Sequence, residues 1–339
     1  MGNSRGWSAV GKGIVIGALL AWGGVLRADP VVIKLATVAP KGSPWMNAYS
    51  AMNEEVEKAT EGRVSFKFYP GMVSGDEKDM VRKMRAGQLQ AGGLTGTGLQ
   101  MIQPAMLVWQ LPLLFKDYEE LAKTRARMED RMQGLMNQKG FVILGWSDLG
   151  YTYIFTKKPA SSLASFNQIK MWGWEDEPIS KAFFEVAGIA QVPLALTDVL
   201  PALQRGMIDG VYNSLMGLMS LQWDKYVSYV TKLVISIGIG ATVVTKSVWD
   251  QISPEDQKKV LEISRRHHDR LNAEIQKKNK EALSQMKKAG MQVVDLEPGE
   301  MDRFQGIAAR VRQMLTGKFF DAGLLKDVEA MRDRVRSGN

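Results

Sequence analysis

Between Phe166 and Ser214 the chain places four side chains suited to holding a small molecule: Trp172, Trp174, Tyr212 and Asn213. Wide aromatic faces beside one amide can stack on an organic solute and hydrogen-bond it, but they supply no nucleophile and no strong base. Groups that would carry out a reaction are missing or badly spaced. No cysteine occurs, which excludes disulfide frameworks, thiolate metal sites, cysteine nucleophiles and a lipidated cysteine. There is no HExxH, GxSxG or Walker sequence, and no GxGxxG between a strand and a helix. His267 and His268 are the two histidines; adjacent positions on a helix diverge by about 100° and cannot share a metal. The acidic pairs Glu119–Glu120 and Glu175–Asp176 read as helix-start or surface charges. GGLTGTG (Gly92 to Gly98) lacks the Gly-Lys-Ser/Thr of a phosphate loop and fits backbone held close to a ligand or a neighbouring strand. No metal or cofactor is expected, and binding is favoured over catalysis.

Side chains at strand ends need a sheet behind them. A strand-like run (Ile169 to Trp172), a helix, an apolar run (Ile189 to Leu194), the helix LTDVLPALQRG and a buried strand follow one another. That order predicts parallel α/β structure, whose ligands collect at the carboxyl ends of strands. Thr197 is the expected cap of the second helix, and Gly206 its stop. Asp209 and Gly210 shape the turn that follows.

The 339 residues suggest about two domains. The first 28 residues read as an export signal: Arg5 and Lys12 precede the apolar run Ile14–Leu26, which is too short to span a membrane. Ala28 is the expected cleavage position; Leu26, where a small residue is preferred, leaves an uncleaved anchor as the alternative. The formal charge is +8; without Arg5, Lys12 and Arg27, and with no acid before Asp29, it falls to +5. No dense basic stripe with interleaved aromatics occurs, so no nucleic-acid partner is expected. No later apolar run is long enough for a span, so the mature chain is expected to be soluble.

Elsewhere, Val31–Thr37 predicts a strand leading to a helix capped by Ser43 with Pro44 at its first position, running to about Thr60. Val64–Pro70 alternates as a half-buried strand, and Ser74-Gly-Asp-Glu starts a helix through Arg85. Asp117 stands near another helix start. Gly140–Trp146 and Tyr151–Pro159 predict two strands, with the crossover between domains nearby. Val230–Lys246 predicts two β-rich pieces around Gly238 and Gly240, where the chain returns. Ser253-Pro-Glu-Asp opens a helix that runs to Ala289, roughly 54 Å long and able to brace both halves.

With these residues in hand, the chain closely resembles the solute-binding proteins of tripartite ATP-independent periplasmic (TRAP) transporters, the DctP-like family. FYPGMVSGDEKDMVRKMRAGQLQA, VWQLPLLFKDYEE, FTKKPASSLASFNQIKM and VPLALTDVLPALQRGMIDGVYNS match the family's segments in order, and the likeness covers nearly all of the mature chain. The resemblance implies an α/β periplasmic binding fold with two lobes, crossing hinge strands and a long helix along both. It divides the chain into residues 29–149 with 238–277, and 150–237 with 278–335, bridged by the helix at about 253–289. It also implies a periplasmic receptor that closes over a small organic solute and delivers it to a permease of one small and one large membrane subunit, driven by an ion gradient, commonly sodium, without ATP.

Two departures bear on the ligand. Carboxylate-binding members usually carry an arginine where QIKMW has Trp172, and often a second basic residue where GYT has Thr152. Asn213 matches the family's asparagine, and Leu196 stands where an aromatic is common. Arginine grips a carboxylate with two parallel charge-assisted bonds, which neither Trp nor Thr can copy. A neutral, aromatic or largely apolar solute is therefore expected; the rival is a carboxylate held by helix N-termini, or by Lys170, Arg82 or another cation. Trp45, Thr95, Gly96 and Tyr153 complete the candidate site by position. A periplasmic enzyme on the same scaffold, or a sensor that has lost transport, are the other functions left open.

Overall fold

The computed structural model describes residues 29–338; the export segment read at residues 1–28 lies outside them. Local signals set most element boundaries. Strand β1 (Val31–Thr37) buries Ile33, Leu35 and Ala36 completely. Ser43 caps α1 (Pro44–Ala59), with Pro44 at the first position. After β2 (Val64–Tyr69), helix α2 (Glu77–Arg85) is capped by Asp76. Next come β3 (Ala91–Thr95), α3 (Gly96–Ile102), α4 (Tyr118–Arg127), capped by Asp117, and α5 (Glu129–Gln138). The chain continues through β4 (Phe141–Thr156), α6 (Leu163–Phe166), β5 (Met171–Trp174), α7 (Pro178–Ala187), β6 (Gln191–Leu194), α8 (Leu196–Arg205), β7 (Gly210–Asn213) and α9 (Leu215–Ser220). It ends with β8 (Tyr229–Thr245), α10 (Lys246–Trp249), α11 (Pro254–Lys288), β9 (Gln292–Val294), α12 (Glu300–Leu315) and α13 (Ala322–Arg336).

The strands form one mixed sheet in the order β2-β1-β3-β8-β4-β7-β5-β6, with β9 on the early part of β8. Parallel pairing, as expected from the strand–helix alternation, holds within each half: β1 with β2 and β3, and β5 with β6 and β7. The two halves are joined by β4 and β8, which run antiparallel along each other through the middle. β3 pairs with the Gly240–Val244 part of β8, and β7 with the Tyr153–Thr156 part of β4. Each long strand therefore belongs to both lobes.

This corrects two expectations. Phe141–Thr156 is one strand, not two, and Tyr229–Thr245 is one strand continuing past Gly238 and Gly240. The glycines do not stop the strands, because register shifts at Ile143/Gly145, Asp148/Gly150 and Thr152/Ile154 absorb the irregularity. They admit close neighbours instead. A Cβ on Gly145 would stand 2.5 Å from His268 Nδ1, and one on Gly240 would stand 2.6 Å from the Leu94 carbonyl oxygen. A third expectation also fails: α8 begins at Leu196 with Ala195 before it, and Thr197 does not cap it. Gly206 closes it in the left-handed conformation, as its sequence predicts.

α11 packs along β4 and touches α1 in one half and α9 in the other. Its buried stripe includes Val260, Ile263, His268, Leu271, Ile275, Asn279 and Met286. His268 faces the first half, hydrogen-bonded to Thr242, and Asn279 accepts from Met216 N of α9 at 3.2 Å. His267 points elsewhere, onto Glu55 at 2.8 Å, so the two histidines diverge. Among the described residues no helix is long and apolar enough to cross a membrane, and no group of three or more His, Cys, Asp or Glu could hold a metal ion.

Candidate functional site

A cavity of about 190 Å³ lies between the two halves of the sheet. One wall comes from the loop after β1, the start of α1 and the end of β3. The opposite wall comes from β5, α7, the start of α8 and the end of β7, with β4 and β8 crossing behind. Strand ends and helix starts converge here because each half winds parallel strands with helical returns.

Eight of the ten residues singled out from sequence line this cavity: Trp45, Thr95, Thr152, Trp172, Trp174, Leu196, Tyr212 and Asn213. Gly96 and Tyr153 are not among the lining residues. A Cβ on Gly96 would stand 1.8 Å from Gln110 Nε2, so this glycine makes room for Gln110, which does line the cavity. Tyr153 sits where β4 shifts register, between Thr152 and Ile154, and its ring stands edge-on to Phe155 at 6.4 Å.

The indoles are held firmly. Trp172 is 1% exposed, stacks on Tyr212 (centroids 4.9 Å, planes 16° apart) and meets Trp223 edge-on at 5.2 Å. Its Nε1 donates to the Leu194 carbonyl at 3.0 Å. Trp174 lies 5.8 Å from Trp172 and donates its indole N–H to Asp76 Oδ2 at 3.1 Å. Both indole donors are thus spent on protein acceptors, and only ring surface remains for a solute. Asn213 uses its Oδ1 to accept from Ser214 N at 2.8 Å, and its amide nitrogen can only donate.

The electrostatics are unusual for a site that would take an acid. Among the described residues no lysine, arginine or histidine lines the cavity, and one carboxylate does, Glu177. Three helices begin at the cleft with a protein carboxylate already at their N-terminus. Glu177 accepts from Ile179 N and Ser180 N of α7 at 2.9 and 2.8 Å, and from the Tyr212 hydroxyl at 3.4 Å. Asp76 Oδ2 accepts from Leu196 N at the start of α8 at 2.8 Å. Glu77 accepts from Thr95 N and Gly98 N at the start of α3, both at 2.6 Å, and from the Thr95 hydroxyl at 2.8 Å. Burial raises the pKa of Glu177 against the pull of these donors and pushes Glu77 up to about 7. Lys170 is exposed and does not line the cavity, and Arg82 is exposed and paired with Asp79 at 2.7 Å.

Several contributors escape a sequence reading. Asp76 and Glu77 look like ordinary first-turn acids in SGDEKD, and Glu177 before Pro178 reads only as a helix start. Ser147 on β4 carries no motif, yet it lines the cavity with its Oγ buried and unpartnered; the Trp45 indole nitrogen is in the same state.

The profile of "Bacterial extracellular solute-binding protein, family 7" (DctP) matches residues 35–318. The chain is 27% identical over 267 residues to the C4-dicarboxylate-binding periplasmic protein DctP of Rhodobacter capsulatus, covering 78% of this chain and 79% of that protein. It is 21% identical over 252 residues to the 2,3-diketo-L-gulonate-binding periplasmic protein of Escherichia coli, covering 73% and 76%. Among solved structures, a TRAP periplasmic solute-binding protein from Xanthobacter autotrophicus with bound β-D-galacturonate superposes with a TM-score of 0.83 at 21% identity, over 89% of this chain and 99% of that one. One from Desulfovibrio salexigens with bound orotic acid gives 0.82 at 18% identity, over 90% and 99%. These likenesses bear out the two-lobed fold expected from sequence.

Proposed function

The chain belongs to family 7 of the bacterial extracellular solute-binding proteins, and from that premise we propose that it is the periplasmic receptor of a TRAP transporter for a small uncharged solute with an aromatic or apolar body. One observation carries the choice of solute: among the described residues no cation lines the cavity, and carboxylates of the protein itself already hold the helix N-termini at the cleft. An anionic solute would lose its hydration and find no counter-charge, at a cost of several kcal/mol. Relatives of this fold bind acids, among them β-D-galacturonate and orotic acid. This chain differs from the family pattern at the positions that usually grip an acid, Trp172 and Thr152.

Size supports the same reading. A cavity near 150 Å³ can hold benzene, so about 190 Å³ suits a single ring with a few substituents. Apolar faces for it come from Ile179, Phe183 and Phe184 of α7 with the rings of Trp172 and Trp174.

The receptor works by enclosing its solute. We divide the lobes at residues 29–149 with 238–277, and 150–237 with 278–335. Between them Lys78 pairs with Asp176 at 3.1 Å and Gln100 donates to the Asp176 carbonyl at 2.9 Å, beside the bonds made by Asp76. Closure removes water from the apolar walls, and the closed pair is the form offered to the small and large permease subunits. Transport is then driven by an ion gradient, and the solute leaves unchanged.

A thermal-shift and calorimetric screen of matched neutral and anionic single-ring compounds tests this. Neutral members are expected to bind stoichiometrically and to be recovered intact. Tighter binding of the carboxylates would overturn the choice of solute, and turnover would overturn the receptor.

A further inference from the structure

We infer that the cavity selects a solute carrying an uncharged hydrogen-bond acceptor, and that Trp45 Nε1 and Ser147 Oγ are the groups that read it. This rests on the receptor reading above and adds what the solute must present.

Among the described residues four buried side-chain polar atoms have no hydrogen-bond partner: Trp45 Nε1, Trp109 Nε1, Arg125 Nη1 and Ser147 Oγ. Two of them have homes away from the cavity. Trp109 stacks on Phe115 at 6.1 Å in the core, and the Arg125 guanidinium lies 5.1 Å over the Trp146 ring beside Asp148. Trp45 and Ser147 both line the cavity, at 7% and 4% exposure. Native proteins seldom bury an unpaired donor without a use for it.

Both groups are fixed on regular elements, which suits recognition better than a mobile loop. Trp45 stands in the first turn of α1 and packs with Leu271 and Ile275 of α11. Ser147 sits on β4 opposite Gly240 of β8. An indole nitrogen only donates, so its partner must accept; the serine hydroxyl can donate to the same atom or accept from its neighbour. Neither brings a positive charge. The fitting group is therefore an amide, ketone, ether or alcohol oxygen rather than a carboxylate. Trp45 belongs to one wall and Phe183 and Phe184 to the other, so the acceptor end of the solute faces Trp45 and its ring or hydrocarbon faces α7.

The test uses the mature chain and its Trp45→Phe and Ser147→Ala variants, with benzamide, acetanilide, benzoate and ethylbenzene as probes at up to millimolar concentration. The amides are expected to bind about tenfold tighter than ethylbenzene, the size of one buried hydrogen bond. Trp45→Phe should bring the two classes to within about twofold, and Ser147→Ala should close part of the gap. The indole N–H resonance that disappears in Trp45→Phe should move when benzamide is added to the native chain. Equal binding of ethylbenzene, unchanged amide affinity in both variants, or no binding by any probe would overturn the inference. Benzoate binding tighter than benzamide would instead overturn the uncharged solute; the acceptor contact would then stand if Trp45→Phe loses benzoate, and fall if it does not.

Discussion

Asp76 Oδ2 lies 2.8 Å from the backbone nitrogen of Leu196, 120 positions further along the chain and on the opposite lobe. The same carboxylate caps its own helix, Oδ1 accepting from Glu77 N at 2.6 Å, and Oδ2 also takes the Trp174 indole N–H at 3.1 Å. One side chain thus holds two helix N-termini from two lobes together. Helix α8 has no side-chain cap from its own segment; its cap comes from across the cleft. Such bonds can exist only when the lobes are closed.

Asp76→Asn should keep the cap of α2, since Asn is as good a cap as Asp, and weaken closure. Charge-assisted hydrogen bonds are worth about 1.5–3 kcal/mol, so solute affinity should fall roughly tenfold or more. Small-angle scattering should report a larger radius of gyration. Native affinity with an unchanged scattering curve would mean that these bonds do not hold the cleft shut.

Two buried groups tie stability to pH with opposite signs. Burial, aided by the Asp76 charge and opposed by donors from Thr95 and Gly98, pushes Glu77 up to about 7. A carboxyl raised on folding contributes stability that is complete below its ordinary range and lost as pH rises through 7. His268, hydrogen-bonded to Thr242 and to the Ser264 carbonyl, is pushed by burial down to about 4. Its contribution is complete above its ordinary value of 6.5 and lost as pH falls through 4. Each is worth roughly 3 kcal/mol at most. Urea midpoints of the native chain should be nearly level from about pH 4.5 to 6.5 and decline toward 8. Glu77→Gln should instead gain stability as pH rises through that first interval. Matching profiles for the two proteins would remove Glu77 as the cause.

Trp172 shapes the wall as well as the surface that a solute would touch. Trp172→Ala should weaken solute binding at least tenfold, about 1.4 kcal/mol, and should also cost about 3–5 kcal/mol of stability through the cavity left beside Tyr212 and Trp223. Trp172→Phe keeps an aromatic face at a cost of about 1–2 kcal/mol. If denaturant midpoints show Trp172→Ala near native stability, the stack with Tyr212 is not supporting this lobe.

Introducing a cation should change the class of solute. Thr152 lines the cavity on a crossing strand, so Thr152→Arg gives a guanidinium access to the cleft. Benzoate affinity should rise about tenfold, the scale of one charged hydrogen bond, while benzamide gains little. Trp172→Arg should also move preference toward acids, with a greater loss of fold because position 172 is buried. Calorimetry showing no gain for any organic acid in either variant would count against the proposed chemistry.

Much of the scaffold is legible because its signals are local. Ser43-Pro44 and Ser253-Pro254 cap and open α1 and α11, Asp117 caps α4, and Gly206 ends α8, each through bonds within a few residues. Period-two alternation places Trp172 and Trp174 on one face, and both line the cavity. The same reasoning breaks β4 and β8 at their glycines, because a glycine inside a strand signals a stop unless the partner strand is known. It also assigns α8 a local cap in Thr197, and selects Gly96 where Gln110 fills the place.

From its residues alone this chain declares α/β halves, a long bracing helix, and a binding role carried by grouped aromatic rings. Those properties follow from periodicity, capping and side-chain type, which act over a few positions. Tertiary structure decided which carboxylates fill the helix N-termini, which donors stay buried without a partner, and which residue of one lobe holds the other. Asp76 with Leu196, and Trp45 with Ser147, are brought near one cleft by β4 and β8. Burial there sets the strength of every polar contact, and no stretch of sequence shorter than the whole fold specifies it.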